Sequence, residues 1–153
     1  MRELHEALID IVSVMNHPQR DEMMVREAGI SLHRALFPLL VGIERRGPIG
    51  IVDLADGVGR DYTTVSRQVA KLESLGLVKR RAGATDHRVR LASVTRKGKA
   101  MTDAVDLARE RIGRTIFSTW NKREVDELAR LMRKLADAMK GYSPGDSPND
   151  PIS

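Results

Sequence analysis

The sequence contains no cysteine, and only 3% of its 153 residues are aromatic. Without thiols the chain has no disulfide, no cysteine zinc site and no thiol-based redox sensor. Because aromatic side chains are few, we expect a core of Leu, Val, Ile, Ala and Met, within a hydrophobic content of 41% that suits a folded soluble protein. No apolar run approaches the roughly 20 residues that span a bilayer. The amphipathic N-terminus with early acidic residues does not resemble a signal peptide, so we expect a cytoplasmic protein.

Motifs that support enzymatic chemistry are also lacking. The four histidines are scattered, and their spacing fits no metal site. The sequence has no P-loop, no Gly-rich dinucleotide turn and no Ser/His/Asp order of a hydrolase, and no pattern pairs its carboxylates in an enclosed site. We therefore expect neither an enzyme nor a metal or cofactor site.

Positive charge, in contrast, is concentrated in one part of the chain. Residues 60–99 hold eleven Lys or Arg and three acids, a net charge of +8, whereas the remainder holds fifteen bases and eighteen acids, a net charge of −3. This segregation predicts a polyanionic partner for the basic segment. The alternative is a basic surface that is only solvated.

Two short amphipathic helices begin this region. The first is predicted to end at Gly59 in a left-handed conformation. In the second, Val65, Val69 and Leu72 recur at helical spacing and predict a buried stripe, with Asp61 as the N-cap. Two helices joined by a tight glycine turn, the second with a polar, basic face, indicate a helix-turn-helix. Steps of about 100° per residue place the following residues opposite the stripe or on its flanks: Thr63, Thr64, Ser66, Arg67, Lys71 and Ser74.

A basic two-stranded ribbon is predicted directly after these helices. One strand starts at Leu77 and the other covers residues 89–94, with turn formers between them at 82–87. Residues 48–50 are expected to add a minimal third strand. A narrow basic hairpin after a helix-turn-helix is a wing, and its natural target is a groove edge or a row of phosphates. The cations of the ribbon are Lys79, Arg80, Arg81, Arg88 and Arg90.

Further helices are predicted before the helix-turn-helix. The first covers residues 1–15 and ends before Pro18, and residues 19–29 are read either as additional helical turns or as a connector. A second helix is predicted over Leu32–Arg46, with Ser31 as its N-cap. Because Pro38 lies inside this helix and removes a backbone donor, a kink is expected near it.

Two long helices are predicted after the wing. Thr95 is the expected N-cap of the first, which continues to about Ser118, and Asn121 is the expected N-cap of the second, which ends at Gly141. The tail at 142–153 is rich in Pro, Ser, Gly and Asp, a composition typical of disorder.

The helix-turn-helix and wing resemble the core of the MarR (multiple antibiotic resistance regulator) family. The likeness covers about residues 31–100 and rests on TTVSRQVAKLESLGLVKR at 63–80, D-H-R at 86–88 and V-T-R-K-G at 94–98. It implies a mainly α fold with a small β wing. The expected domains are an N-terminal dimerisation helix and connector at 1–30, a winged helix-turn-helix at 31–100, and a linker helix with a C-terminal dimerisation helix at 101–141.

The resemblance implies a homodimeric transcription regulator, commonly a repressor, that binds an inverted repeat in double-stranded DNA and is released by a small-molecule effector. A winged-helix protein–protein module and a sequence-neutral architectural DNA binder are the alternatives. The terminal helices form the dimer interface in this interpretation; covering the winged helix of a monomer is their alternative role. The predicted interface residues are Leu4, Leu8, Ile11, Val125, Leu128, Leu131, Met132 and Leu135.

Site residues follow from the helix face and from the resemblance. Arg67 is expected to bridge guanine O6 and N7, with a phosphate contact as the alternative. The resemblance implies that Arg88 enters the minor groove and that Asp86 orients it. Phosphate contacts are expected from Lys71, Arg81 and Arg90, and also from Thr63, Thr64 and Ser66, for which contacts to bases are the alternative. The candidate effector pocket consists of His33, Leu36, Leu8 and Met101.

Overall fold

A computed structural model describes residues 1–142, and this part of the chain contains seven α-helices and one three-stranded antiparallel sheet. The predicted mainly α fold with a small β wing is therefore confirmed. No helix within the described range is long and apolar enough to cross a membrane. The elements are α1 (Arg2–Met15), α2 (Pro18–Glu27), α3 (Phe37–Arg46), β1 (Ile49–Gly50), α4 (Ile51–Val58), α5 (Tyr62–Ser74), β2 (Val78–Ala82), β3 (Arg90–Val94), α6 (Arg96–Ile116) and α7 (Lys122–Gly141).

The chain divides into two compact units, one from Met1 to Arg111 and another that starts at Ile112. The first unit contains the helix-turn-helix, the sheet and most of α6. Its fully buried side chains come from α3, α4, α5, the start of β2 and α6, so these elements share one core. The largest of these side chains are Leu39, Leu40, Ile43, Leu54, Leu72 and Leu77.

Local sequence signals set the helix-turn-helix. Gly59 ends α4 in the left-handed conformation, with φ at +67°, which a residue without a Cβ adopts at little cost. Asp61 starts α5, because its carboxylate accepts the backbone N–H of Thr64 at 2.9 Å. The predicted stripe of Val65, Val69 and Leu72 is fully buried. The predicted helix boundaries, stop and cap are thus confirmed.

The sheet has the strand order β1-β3-β2. β2 and β3 form the predicted hairpin, with Val78 opposite Val94 and Ala82 opposite Arg90. β1 is the predicted minimal third strand, and its Ile49 lies opposite Ala92.

The turn between α5 and β2 is bonded to the start of α6. The Thr95 hydroxyl donates to the carbonyl oxygen of Gly76 at 2.6 Å and accepts the N–H of Gly98 at 3.1 Å, and the Thr95 N–H donates to the Leu77 oxygen at 3.0 Å. Gly98 leaves no room for a side chain, since a Cβ there would lie 2.1 Å from that same oxygen. The L-G-L-V and T-x-x-G segments of the sequence are therefore two sides of one contact.

The prediction of one helix over Leu32–Arg46 is wrong. α3 begins only at Phe37, so Pro38 lies in its first turn, where a missing N–H leaves no helical hydrogen bond unmade, and Ser31 is not its N-cap. Residues 31–36 instead form an irregular segment in which the Leu36 N–H donates to the His33 oxygen at 2.9 Å. Residues 19–29, for which helical turns and a connector were the two interpretations, lie mainly in helix α2, which starts at Pro18.

Helix α7 belongs to the second unit and begins with a capping box. The Asn121 side chain accepts the N–H of Glu124 at 3.0 Å, and the Glu124 carboxylate accepts the N–H of Asn121 at 2.8 Å. Just before this cap, the rings of Phe117 and Trp120 meet edge to face, with centroids 5.2 Å apart. Tyr142 is exposed, and the rest of the predicted disordered tail lies outside the described residues.

Candidate nucleic-acid interface

The outer face of α5 carries the polar side chains that the helical steps predicted. Thr63, Arg67 and Lys71 are exposed, whereas Thr64 and Ser66 are half-buried at the flanks. The pKa of the Asp61 carboxyl is lowered, chiefly because it accepts hydrogen bonds from Thr64, so the cap stays ionised to a lower pH than a free aspartate would. This face therefore offers hydroxyl groups and two cations from one helix.

The ribbon distributes its cations over both faces. Side chains alternate along a strand, and directly opposed residues share a face. Since Arg81 lies opposite Leu91 while Arg90 lies opposite Ala82, the two arginines are on opposite faces of the ribbon. The structure therefore does not bring these two predicted phosphate contacts together.

The tip of the wing, residues 83–89, is closed by its own hydrogen bonds. The Asp86 carboxylate accepts the backbone N–H of Arg88 at 3.0 Å, which is an Asx turn. The Gly83 N–H donates to the backbone oxygen of Val89 at 2.8 Å. The Val89 N–H donates to the backbone oxygen of Asp86 at 3.2 Å. Asp86 thus holds the backbone from which the exposed Arg88 side chain projects.

Several cations of the basic segment are engaged within the protein. The Arg80 guanidinium donates to Glu73 Oε2 from Nε at 2.9 Å and from Nη2 at 2.7 Å. Lys97 donates to the Leu75 oxygen at 3.1 Å, and Lys99 contacts Glu44 and Asp103. On α5 and the ribbon, the cations that are exposed are Arg67, Lys71, Lys79, Arg81, Arg88 and Arg90.

A groove of about 510 Å³ opens beside α5. It combines apolar surface from the segment before α3 with polar side chains of α5. Two residues of the predicted effector pocket, His33 and Leu36, are on its wall, whereas Leu8 is on α1 and Met101 on α6, and neither lines it. The remaining lining residues are Ala35, Thr64, Arg67, Gln68 and Lys71.

Solved structures of other proteins superpose on this arrangement of helices and wing. A MarR family protein from Bacillus stearothermophilus superposes with a TM-score of 0.75, covering 91% of this chain and 94% of that chain at 22% identity. MarR itself superposes with a TM-score of 0.69, covering 88% and 89% at 22% identity. The chain has the winged-helix fold of these MarR structures.

Sequence comparison finds one matching family and one related protein. Residues 32–93, from just before α3 to β3, match the profile of the family HVO_A0114. The uncharacterized HTH-type transcriptional regulator YxaD of Bacillus subtilis (strain 168) is 29% identical over 108 residues, which cover 71% of this chain and 76% of YxaD.

The winged-helix core of this chain contains one linkage that the sequence did not reveal. Arg60, which was counted among the cations of the basic segment, donates from Nη1 to the Ala35 oxygen at 2.7 Å and to Gln68 Oε1 at 2.9 Å. Its position between a left-handed glycine and an N-cap is visible in the sequence. No periodic signal, however, connects a turn with a carbonyl group 25 residues earlier.

Proposed function

We propose that this protein is a transcription regulator that binds double-stranded DNA sequence-specifically as a homodimer and acts as a repressor at an inverted repeat. The observation that carries the proposal is the set of exposed cations on α5 and the wing, two adjoining elements of one compact unit. The name of the relative YxaD, a transcriptional regulator with a helix-turn-helix, supports the same function.

In this proposal α5 is the recognition helix and lies in the major groove. Arg67 contacts a base, because a guanidinium matches guanine O6 and N7. Thr63, Thr64 and Ser66 contact phosphates or base edges, and Lys71 contacts phosphates. Arg88 reaches the minor groove, where narrow A·T tracts concentrate negative potential. Arg81 and Arg90, on opposite faces of the ribbon, contact phosphates on either side of the wing.

The dimer uses α1 and α7. Neither helix buries a single residue completely, although both are amphipathic. The exposed fractions of Leu4, Ile11 and Leu131 are 46%, 45% and 46%. Such exposed apolar side chains favour an interface with a second copy over a surface that remains in contact with solvent. Two winged helices related by a two-fold axis contact two half-sites and provide the larger contact that specific affinity requires.

Selection of DNA from a random pool tests the function. The expected product is an inverted repeat whose half-sites lie about one helical turn, roughly 10 bp, apart. Random competitor DNA should bind about 10³-fold or more weakly. No retardation of any fragment at low salt would favour a protein–protein module, and equal competition by random DNA would favour an architectural binder.

The effector is proposed to bind the groove beside α5. Ala35 and Leu36 contribute apolar surface, and Arg67 and Lys71 contribute positive charge, a combination that fits a small, mainly apolar anion. An anion there would engage the two cations that contact DNA. Ligand and DNA would then weaken each other's binding by the same factor.

Aromatic carboxylates, each paired with its uncharged amide as a control, test the effector site. The carboxylates are expected to displace operator DNA in a gel shift and to raise the melting temperature of the free protein. Amides that are equally effective would exclude the role given to Arg67 and Lys71.

A further inference from the structure

Arg60 is held at a junction of three segments. It lies in the turn between α4 and α5, with its backbone fixed by the left-handed Gly59 on one side and the N-cap Asp61 on the other. Its half-buried side chain donates to the Ala35 oxygen and to Gln68 Oε1, at 2.7 and 2.9 Å. One guanidinium therefore joins the turn, the 31–36 segment and the middle of α5.

The charge of Arg60 is also partly compensated inside the protein. Asp21 of α2 is half-buried, and burial raises the pKa of its carboxyl, while the nearby positive charges of Arg60, Arg20 and Arg34 act in the opposite direction. A cation that bonds two acceptors and lies near a carboxylate is poorly placed to neutralise a phosphate. This distinguishes Arg60 from the exposed cations of α5 and the wing.

We propose that Arg60 is a positioning residue, which fixes the position of α5 relative to the 31–36 segment. It thereby aligns Thr63, Arg67 and Lys71 with DNA but does not itself contact the DNA. The inference rests on the proposed function and deepens it. Ala35 and Gln68, the two acceptors of Arg60, also line the groove beside α5. A ligand that displaces either of them would act on α5 through the same guanidinium.

The first experiment compares Arg60→Met with Arg81→Met, a matched loss of one arginine from the exposed ribbon. Binding of the selected operator and of random DNA is measured against salt concentration, at a temperature where melting curves show both variants folded. Arg60→Met is expected to lose about tenfold in operator affinity, since hydrogen bonds from a charged donor are lost, while its random-DNA affinity and salt slope stay those of the wild type. Arg81→Met should weaken both DNAs alike and reduce the salt slope by about 2 per dimer, because each protomer loses one phosphate contact.

Two further variants separate positioning from folding. Arg60→Lys keeps a donor and should recover part of the lost selectivity, and Gln68→Met removes one acceptor and should lose part of it. In the double variant with Arg60→Met, the loss from Gln68→Met should largely vanish, because the two residues act through one bond. If Arg60→Met does not fold, Arg60→Lys and Gln68→Met provide the same test.

The inference has distinct ways to fail. A salt slope that falls by about 2 per dimer in Arg60→Met, one contact from each protomer, would make Arg60 a phosphate contact. A lower melting temperature with unchanged selectivity would make it a fold-stabilising residue only. A wild-type protein that binds no DNA selectively would overturn the proposed function, and the positioning role with it.

Discussion

Arg67 and Lys71 are one helical turn apart on the exposed face of α5, yet they are expected to do different things on DNA. Arg67→Ala should cost about 1–3 kcal/mol per half-site and relax the base preference at one position of each half-site, because a bidentate guanine contact is lost. Lys71→Ala is the matched control and should weaken all sequences alike. Repeating the random-pool selection with both variants gives the answer, and an unchanged base preference in Arg67→Ala would remove this residue from base readout.

The charge of a single cap is expected to show in the pH dependence of stability. The folded state lowers the pKa of Asp61 below its usual 3.8, so the ionised cap stabilises the fold above that pH. This contribution is lost as the pH falls through the lowered pKa. Asp61→Asn keeps an acceptor without the charge, so its melting temperature should be below that of the wild type at neutral pH and should converge with it in acid.

The control for the cap is Asp61→Ala, which lacks an acceptor at every pH. Its melting temperature should therefore remain below that of Asp61→Asn throughout the titration. A gap between wild type and Asp61→Asn that persists unchanged in strong acid would show that the carboxylate charge is not its cause.

At the scale of elements, helix α6 contains two glycines with opposite surroundings. A Cβ on Gly98 would lie 2.1 Å from the Leu77 oxygen, whereas nothing lies within 4 Å of one on Gly113. Gly98→Ala is expected to destabilise the protein by about 1–3 kcal/mol, because the start of α6 must move away from the end of α5. Gly113→Ala should instead stabilise α6 by up to about 1 kcal/mol. Denaturant melts of the two variants measure both effects, and similar values would contradict the close contact.

The elements that the sequence predicted correctly are those whose signals are local. Gly59, Asp61 and Asn121 stop or cap helices through their own backbone and side chain, and the spacing of Val65 and Val69 needs only the helical period. The helix predicted over Leu32–Arg46 failed because apolar residues at 32 and 36 are buried equally well by an irregular segment. An apolar pattern indicates which side chains face the core, but it does not determine the backbone conformation that places them there.

The candidate site shows the same division. Outward residues of α5 follow from angular steps, so Thr63, Arg67 and Lys71 could be predicted. The cations that remain exposed could not be predicted, because the bonding partners depend on the tertiary structure. Arg60 bonds to Ala35, 25 residues away, and Arg80 bonds to Glu73, seven residues away. Contacts between segments are therefore what a single sequence leaves open.

At the scale of the whole molecule, the proposed dimer makes α1 and α7 necessary for operator binding. Leu131 is 46% exposed, and Leu131→Lys should bring charge into the interface and yield monomers in light scattering. Val52 on α4 is 61% exposed, so Val52→Lys is a control that should leave the dimer intact. A monomeric Leu131→Lys should bind only one half-site, and a dimer that persists at low concentration would contradict the assigned interface.

The wing tip has a consequence for the kinetics of the proposed complex. Asp86 and Gly83 set the shape of the hairpin before any DNA arrives, through bonds at 3.0 and 2.8 Å. A loop that is already ordered loses little conformational entropy when it binds. The resulting gain in affinity appears mainly as a lower dissociation rate. The carboxylate of Asp86, although it repels phosphate, would thus lengthen the residence time of the proposed regulator on its operator.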